Sequence, residues 1–329
     1  MALIASRRGI LAGTVALAAL PVWARGPASY PAPDRELMVP VEGGRIYVRV
    51  NGDLAGPRPP VVILHGGPGG THSAYLDALA LADERAVILY DQLDSGRSDW
   101  PGDPKNWRVA RFVDELDAIA RVLGVARWHV AGHSWGGTIA LEYAARHPAA
   151  LQSVVLASPL VSTSSWIADA NALRRALPPP VRDELVRCEP LPQPLPPSCD
   201  TATRAFYAAH NGREPASDGL LAYRHPADRG YNQRLYETMW GRSEFVSTGT
   251  LKGYDGEPLL ARLDGPRTLF LAGQHDEARP ATLAAFVARV PGAELAVIPG
   301  AAHGVFGDRP TETLGILRGW LQRHDGVAP

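Results

Sequence analysis

Trp128-His129-Val130-Ala131-Gly132-His133-Ser134-Trp135-Gly136-Gly137-Thr138-Ile139-Ala140-Leu141 is the stretch on which the reading of this chain turns. Residues 128–131 form a short apolar run suited to a strand buried on both faces. Residues 138–146 have the pattern of a helix. Between them, Gly132-His133-Ser134-Trp135-Gly136 fits G-x-S-x-G. That motif makes a tight, strained turn from strand to helix, in which small residues let the backbone pass close and the serine hydroxyl projects outward. Ser134 is therefore the candidate nucleophile, weighed against a structural serine.

The same alternation continues on both sides. Val61–Leu64 and residues 86–90, 154–157, 268–272 and 295–298 are further apolar runs. Val109–Leu123, with Phe112, Leu116, Ile119 and Leu123 on one face, reads as a helix, as do residues 281–290 and 312–323. Residues 36–41 and 45–50 alternate around Gly43-Gly44 as a β-hairpin. Strand and helix in turn predict an α/β fold with a mostly parallel sheet. The pattern breaks over residues 158–258. Helical patches near 164–177, 181–187, 201–210 and 232–239, joined by proline-rich connections, read there as an inserted helical cap. The expected division is a leader at 1–24, core at 25–157, cap at 158–258 and core again at 259–329.

A serine hydroxyl is a poor nucleophile until a base takes its proton, and histidine suits that task near neutral pH. The chain has ten histidines. His303 stands out because it follows the last strand across Pro299-Gly300-Ala301-Ala302, whose small side chains leave room for an imidazole. His147, His225 and His324 read as surface residues, His65 as structural, and His133 and His275 as turned away from the serine. In the order serine, acid, histidine, the acid follows the strand at 268–272. Asp276, in Gly273-Gln274-His275-Asp276-Glu277, fills that place and also reads as a helix N-cap. Two backbone N–H groups must face the developing oxyanion. One is the Trp135 amide. The other comes from His65-Gly66-Gly67-Pro68-Gly69, with Gly67 favoured and Gly66 as the alternative. That glycine loop lacks the Lys-Ser/Thr of a phosphate cradle, and no H-E-x-x-H pairing occurs. No cofactor and no metal is expected.

Composition narrows the class. In 329 residues, 33 Lys+Arg oppose 34 Asp+Glu, a net charge of −1, and 46% are hydrophobic. This excludes a disordered chain and supplies no basic field for nucleic acid. Ser6-Arg7-Arg8-Gly9 precedes an apolar stretch over residues 10–23 that ends in Val22-Trp23-Ala24. It reads as a twin-arginine export leader, with a retained anchor or a buried helix as alternatives. The stretch is shorter than the roughly 20 residues of a membrane span. The expectation is a periplasmic or secreted protein with no membrane association once the leader is removed. Cys188 and Cys199 lie within and beside eight prolines that fall between residues 178 and 197. In an oxidising compartment the pair reads as a disulfide; two free thiols are the alternative.

Several motifs carry a family resemblance. They are His65-Gly66-Gly67-Pro68-Gly69-Gly70, Tyr90-Asp91-Gln92 with Ser95-Gly96-Arg97-Ser98-Asp99, the elbow at 132–137, Met239-Trp240-Gly241-Arg242-Ser243-Glu244-Phe245, Thr248-Gly249-Thr250-Leu251 and His275-Asp276-Glu277-Ala278-Arg279-Pro280. Together they resemble the α/β-hydrolase fold and, within it, the proline iminopeptidase family, over about residues 36–321. The W-G-x-x-E-F segment resembles the branch with tricorn-interacting aminopeptidases and L-amino-acid amidases. The resemblance implies a serine exopeptidase or amidase whose substrate, a small peptide or amino-acid amide, has a free N-terminal amine. It implies that Glu244 and Glu277 bind that amine; solvated surface glutamates are the alternative. Trp135 and Trp240 are expected to wall an apolar pocket, with core packing as the alternative for Trp240. Asp94 stands where the family has glycine and places a carboxylate near the expected site entrance. An esterase with the same triad and a non-catalytic binding protein are the rival functions. Oligomeric state is open.

Overall fold

The computed structural model describes residues 29–224 and 228–326. The leader at 1–24 and His225 lie outside these. Eight strands form one sheet in the order β1-β2-β4-β3-β5-β6-β7-β8. They are β1 (Arg35–Val41), β2 (Gly44–Asn51), β3 (Val61–Leu64), β4 (Val87–Tyr90), β5 (Trp128–His133), β6 (Leu151–Ala157), β7 (Thr268–Gly273) and β8 (Glu294–Ile298). β1 and β2 make the expected hairpin, and β2 runs antiparallel to β4. From β4 to β8 every pairing is parallel. β3 through β7 are fully buried, which is why they read as continuous apolar runs rather than alternating ones. Two apolar layers cover the two faces of the sheet. One is built around Phe112, Trp128, Trp135 and Ile139, the other around Tyr75, Leu271, Phe306 and Trp320.

The core helices are α1 (Val109–Leu123), α2 (Trp135–Ala144), α8 (Pro280–Val287), α9 (Val305–Asp308) and α10 (Pro310–His324). Phe112, Leu116, Ile119 and Leu123 of α1 are buried, as their spacing predicts. α2 begins at Trp135, three residues earlier than the sequence suggests. Glycine weakens a helix, but a Cβ at Gly136 would strike the Leu64 carbonyl of β3. Close packing of helix on strand overrides propensity here.

The cap helices are α3 (Thr163–Ala176), α4 (Pro179–Cys188), α5 (Pro197–His210), α6 (Asp218–Tyr223) and α7 (Gln233–Met239), all between β6 and β7. Ala170, Leu185, Ala202, Phe206 and Phe245 give the cap a small core of its own. Its inner side shares the main core through Trp166, Leu235, Met239 and Trp240. Cys188, which ends α4, is disulfide-bonded to Cys199 in α5. No helix among the described residues is long and apolar enough to cross a membrane.

Two sequence expectations change. His324 is buried, packed on Trp320 with ring centroids 4.0 Å apart, and its two ring nitrogens meet the Trp320 and Pro266 carbonyls. Its place on the inner face of α10 decides this, and a lone histidine near a chain end gives no sign of it. Asp94 is also fully buried. Its carboxylate accepts from the Gly102 amide at 2.7 Å and the Trp107 indole at 2.8 Å. It holds a loop rather than standing at the site entrance, and its φ of 63° is one that aspartate tolerates.

Candidate active site

Parallel strands deliver their loops to one edge, and ligands of open α/β sheets bind outside the carboxyl ends of the strands. Here the residues after β3, β5, β6, β7 and β8 supply His65–Gly70, Ser134, Ser158, Asp276 and His303. Ser134 has φ 57° and ψ −120°, a strained conformation between β5 and α2. A Cβ at Gly132 would run into the Gly136 carbonyl, so the turn closes only with glycine there. Trp135 follows as the first residue of α2. Its amide is among the N–H groups a helix start leaves without an intrahelical partner. Its indole is buried, donates to the Gln92 side-chain oxygen at 2.9 Å and stands edge-on to Phe112. Gln92 also donates to the His65 carbonyl at 3.0 Å, so Tyr90-Asp91-Gln92 braces the glycine loop against the elbow.

Asp276 is fully buried and acts through both carboxylate oxygens. Oδ1 accepts from His303 Nδ1 at 2.9 Å and from the Ala278 amide at 2.8 Å. Oδ2 accepts from the Ser158 hydroxyl at 2.5 Å and the Gly273 amide at 3.0 Å. Four donors fix its plane. His303 therefore presents Nε2 to the cavity, with the indole of Trp166 edge-on at 5.4 Å. Burial alone would lower the pKa of His303. The neighbouring Asp276, Glu277 and Glu244 carboxylates outweigh it and raise the pKa to about 9.

Gly66 N–H donates to the Tyr75 hydroxyl at 3.0 Å, and Gly66 and Gly67 both line the cavity. His65 is buried, accepts from the Gln92 amide at 3.0 Å, and is pushed down to about pKa 4 by burial.

Ser134 and His303 open on a cavity of about 430 Å³, also lined by Gly67, Tyr207, Tyr231, Tyr236 and Glu244. Glu244 Oε1 accepts from the Tyr236 hydroxyl at 2.6 Å, and its own amide donates to Tyr207 at 3.3 Å. Glu277 is 1% exposed. Its Oε1 accepts from the Asn211 side-chain amide at 2.6 Å and lies 3.8 Å from His303 Nε2, while Oε2 is buried without a partner. Loss of solvent raises the pKa of both carboxyls, and that of Glu277 is raised further by the neighbouring Glu244. Among the described residues no arginine or lysine forms an ion pair with either. Two carboxyls recessed beside His303, with no arginine or lysine paired to either, can accept a further cation from a substrate.

The structure thus brings together Ser134, Asp276, His303, the Gly67 and Trp135 amides, Glu244 and Glu277. It does not bring the Trp135 or Trp240 side chains to the cavity. Trp240 is 2% exposed, donates to the Ser243 carbonyl at 2.9 Å and packs edge-on to Trp166. In place of the expected apolar walls stand four tyrosines, Tyr75, Tyr207, Tyr231 and Tyr236. Sequence reasoning also missed Asn211, Ser158 and Tyr75. Each comes from a segment remote in sequence from the group it serves, and only Ser158, just past a strand end, had a positional signal.

Residues 59–310 match the family model for the alpha/beta hydrolase fold. A proline iminopeptidase of Levilactobacillus brevis is 35% identical over 300 residues, covering 89% of this chain and 98% of the relative. The crystal structure of proline iminopeptidase from Mycobacterium smegmatis superposes with a TM-score of 0.79 at 33% identity, over 88% of this chain and 99% of that one. The crystal structure of VinJ gives a TM-score of 0.80 at 34% identity, over 89% of this chain and 100% of that one.

Proposed function

The chain belongs to the proline iminopeptidase family of alpha/beta hydrolase-fold proteins, and from that premise we propose how it works as a serine aminopeptidase. It is a hydrolase that releases an N-terminal residue. The observation that carries the detailed reading is the pair Glu244 and Glu277, recessed beside His303, with one Glu277 oxygen unpartnered.

The substrate's α-ammonium binds between these carboxylates and supplies the missing cation. This seats the carbonyl of the first residue over Ser134, and cleavage follows after that residue. His303 Nε2 takes the Ser134 proton as Oγ attacks the carbonyl carbon. The Gly67 and Trp135 amides hold the resulting oxyanion. Asp276 keeps the His303 tautomer and stabilises the imidazolium. His303 then protonates the leaving nitrogen, the C–N bond breaks, and an acyl ester remains on Ser134. Water, deprotonated by His303, attacks that ester and frees the residue. The cavity suits a small first residue such as proline, and the leaving group is a peptide or a simple amide. No metal or cofactor takes part in this scheme.

We further propose that residues 1–24 direct export to the periplasm or beyond. A Cys188–Cys199 disulfide is at home in an oxidising compartment, which supports the reading. Fractionation of cells expressing the full chain, against one with Arg7→Lys and Arg8→Lys, tests it: retention of the variant in the cytoplasm is expected, and equal distribution would refute export by this leader.

The test of the amine anchor compares prolyl and other aminoacyl chromogenic amides with their N-blocked forms. Loss of turnover on blocking is expected. Equal rates on blocked and free substrates would point to a general esterase or amidase instead.

A further inference from the structure

His133, the first of the two variable positions of the G-x-S-x-G turn, has no part in the scheme above, yet it is buried beside the site. Its Nε2 lies 2.7 Å from the backbone carbonyl of His303. Its Nδ1 lies 2.8 Å from the Tyr75 hydroxyl, which in turn is 3.0 Å from the Gly66 amide. These three contacts determine every proton. A carbonyl only accepts, so Nε2–H donates to it. A neutral ring then has Nδ1 as an acceptor, so the one Tyr75 proton goes there. The Tyr75 oxygen is left to accept from Gly66 N–H. The neutral ring follows from its setting. Burial lowers the His133 pKa, as does the His303 ring packed at 4.6 Å between centroids, and together they bring it to about 3. Phe306 closes the far side, edge-on to both His133 and Tyr75.

We propose that His133 is a positioning residue: through Tyr75 it ties the loop that carries the general base to the loop that carries the oxyanion donor. One end of the chain holds the backbone of His303. The other takes the Gly66 amide away from the cavity and so turns the next amide, that of Gly67, toward it. The coupling has little slack, because a Cβ at Gly66 would sit 3.0 Å from the Ser134 Cβ. Movement of Gly66 changes the oxyanion site relative to the nucleophile, and displacement of about 1 Å is enough to cost roughly 100-fold in rate. The inference rests on Ser134 and His303 as nucleophile and base.

The test is a set of variants assayed for kcat and KM on a free-amine aminoacyl amide, with thermal melting followed by circular dichroism. His133→Leu removes both bonds, and kcat falls about 100-fold with KM within about twofold. Tyr75→Phe cuts the chain in its middle, and kcat falls about tenfold, again with little change in KM. His133→Gln restores function to within about threefold of the parent, since its amide can donate to the His303 carbonyl and accept from Tyr75. The proposal is overturned if His133→Gln is as impaired as His133→Leu, or if the leucine and phenylalanine variants melt earlier but keep the parent kcat. Ser134→Ala is run in parallel. If it still turns over substrate, the assignment of the nucleophile fails, and the proposal falls with it for a distinguishable reason.

Discussion

The catalytic groups and the pair Glu244 and Glu277, one from the cap and one from the loop after β7, meet around His303 but are built on opposite plans. Asp276 has four donors, His303 is held through Asp276, and the elbow is closed by glycines that admit no other packing. Both carboxylate oxygens of Asp276 are satisfied before substrate arrives. Glu244 and Glu277 are recessed and short of partners, and Glu277 keeps an oxygen with none. The contrast teaches a division of labour. Catalytic geometry is preorganised, because donors aimed in advance need no reorganisation at the moment of reaction. On the proposed reading, recognition is left electrostatically incomplete at Glu277 and a substrate cation completes it.

The largest test of this contrast is on the core side. Ser134→Ala is expected to lower turnover by about 10⁴-fold or more, measured with an aminoacyl chromogenic amide. Next comes the anchor. Glu244→Ala and Glu277→Ala should each reduce kcat/KM on free-amine substrates by about 100-fold, because each leaves the bound ammonium short of a buried partner. Unchanged kinetics in both would remove the contrast altogether. A smaller effect tests the hold on Asp276. Ser158→Ala deletes one of its four donors and should lower kcat by about tenfold while leaving KM nearly as it was.

A pH measurement sharpens the electrostatic side. His303 must be neutral to act as a base, and its pKa is raised to about 9 in the free site. Labelling of Ser134 by a fluorophosphonate should therefore speed up as pH rises toward that value. Glu277→Gln removes one of the negative charges that raise it, so the same limb should move to lower pH. A limb that stays in place would show that Glu277 does not reach His303 electrostatically. The smallest effect is expected far from the cavity. Replacing Cys188 and Cys199 by serine opens a short loop. It should cost at most about 3 kcal/mol, seen as a lower melting temperature with kinetics at ambient temperature little altered.

Much of the machinery could be read from local sequence. The elbow needs an apolar strand, a glycine-flanked serine and a helix in immediate succession, and all three occur within residues 128–146. Asp276 and His303 follow because each sits in the loop after an identifiable strand. The remaining residues around the site were far less legible. Glu244 and Glu277 came only from a family resemblance, since spacing relates neither to the other. Trp240 sits in the same motif as Glu244 yet turns into the core, because that segment bends at Gly241 and the indole packs edge-on to Trp166. Tyr207, Tyr231 and Tyr236 had no signal, because a tyrosine looks the same in sequence whether it lines a cavity or a surface.

Local sequence specifies the order of strands and helices and the identity of the strand-end residues. Buried strands need unbroken apolar runs and a strained turn needs glycine, and these are local demands. Which polar groups lose water, and which partners replace it, follows from the three-dimensional packing alone. The orphaned oxygen of Glu277, the raised pKa of His303, the buried carboxylate of Asp94 and the chain from His303 through His133 and Tyr75 to Gly66 all depend on distances between segments remote in sequence. Desolvation and Coulomb interaction act through space, so no local pattern encodes them.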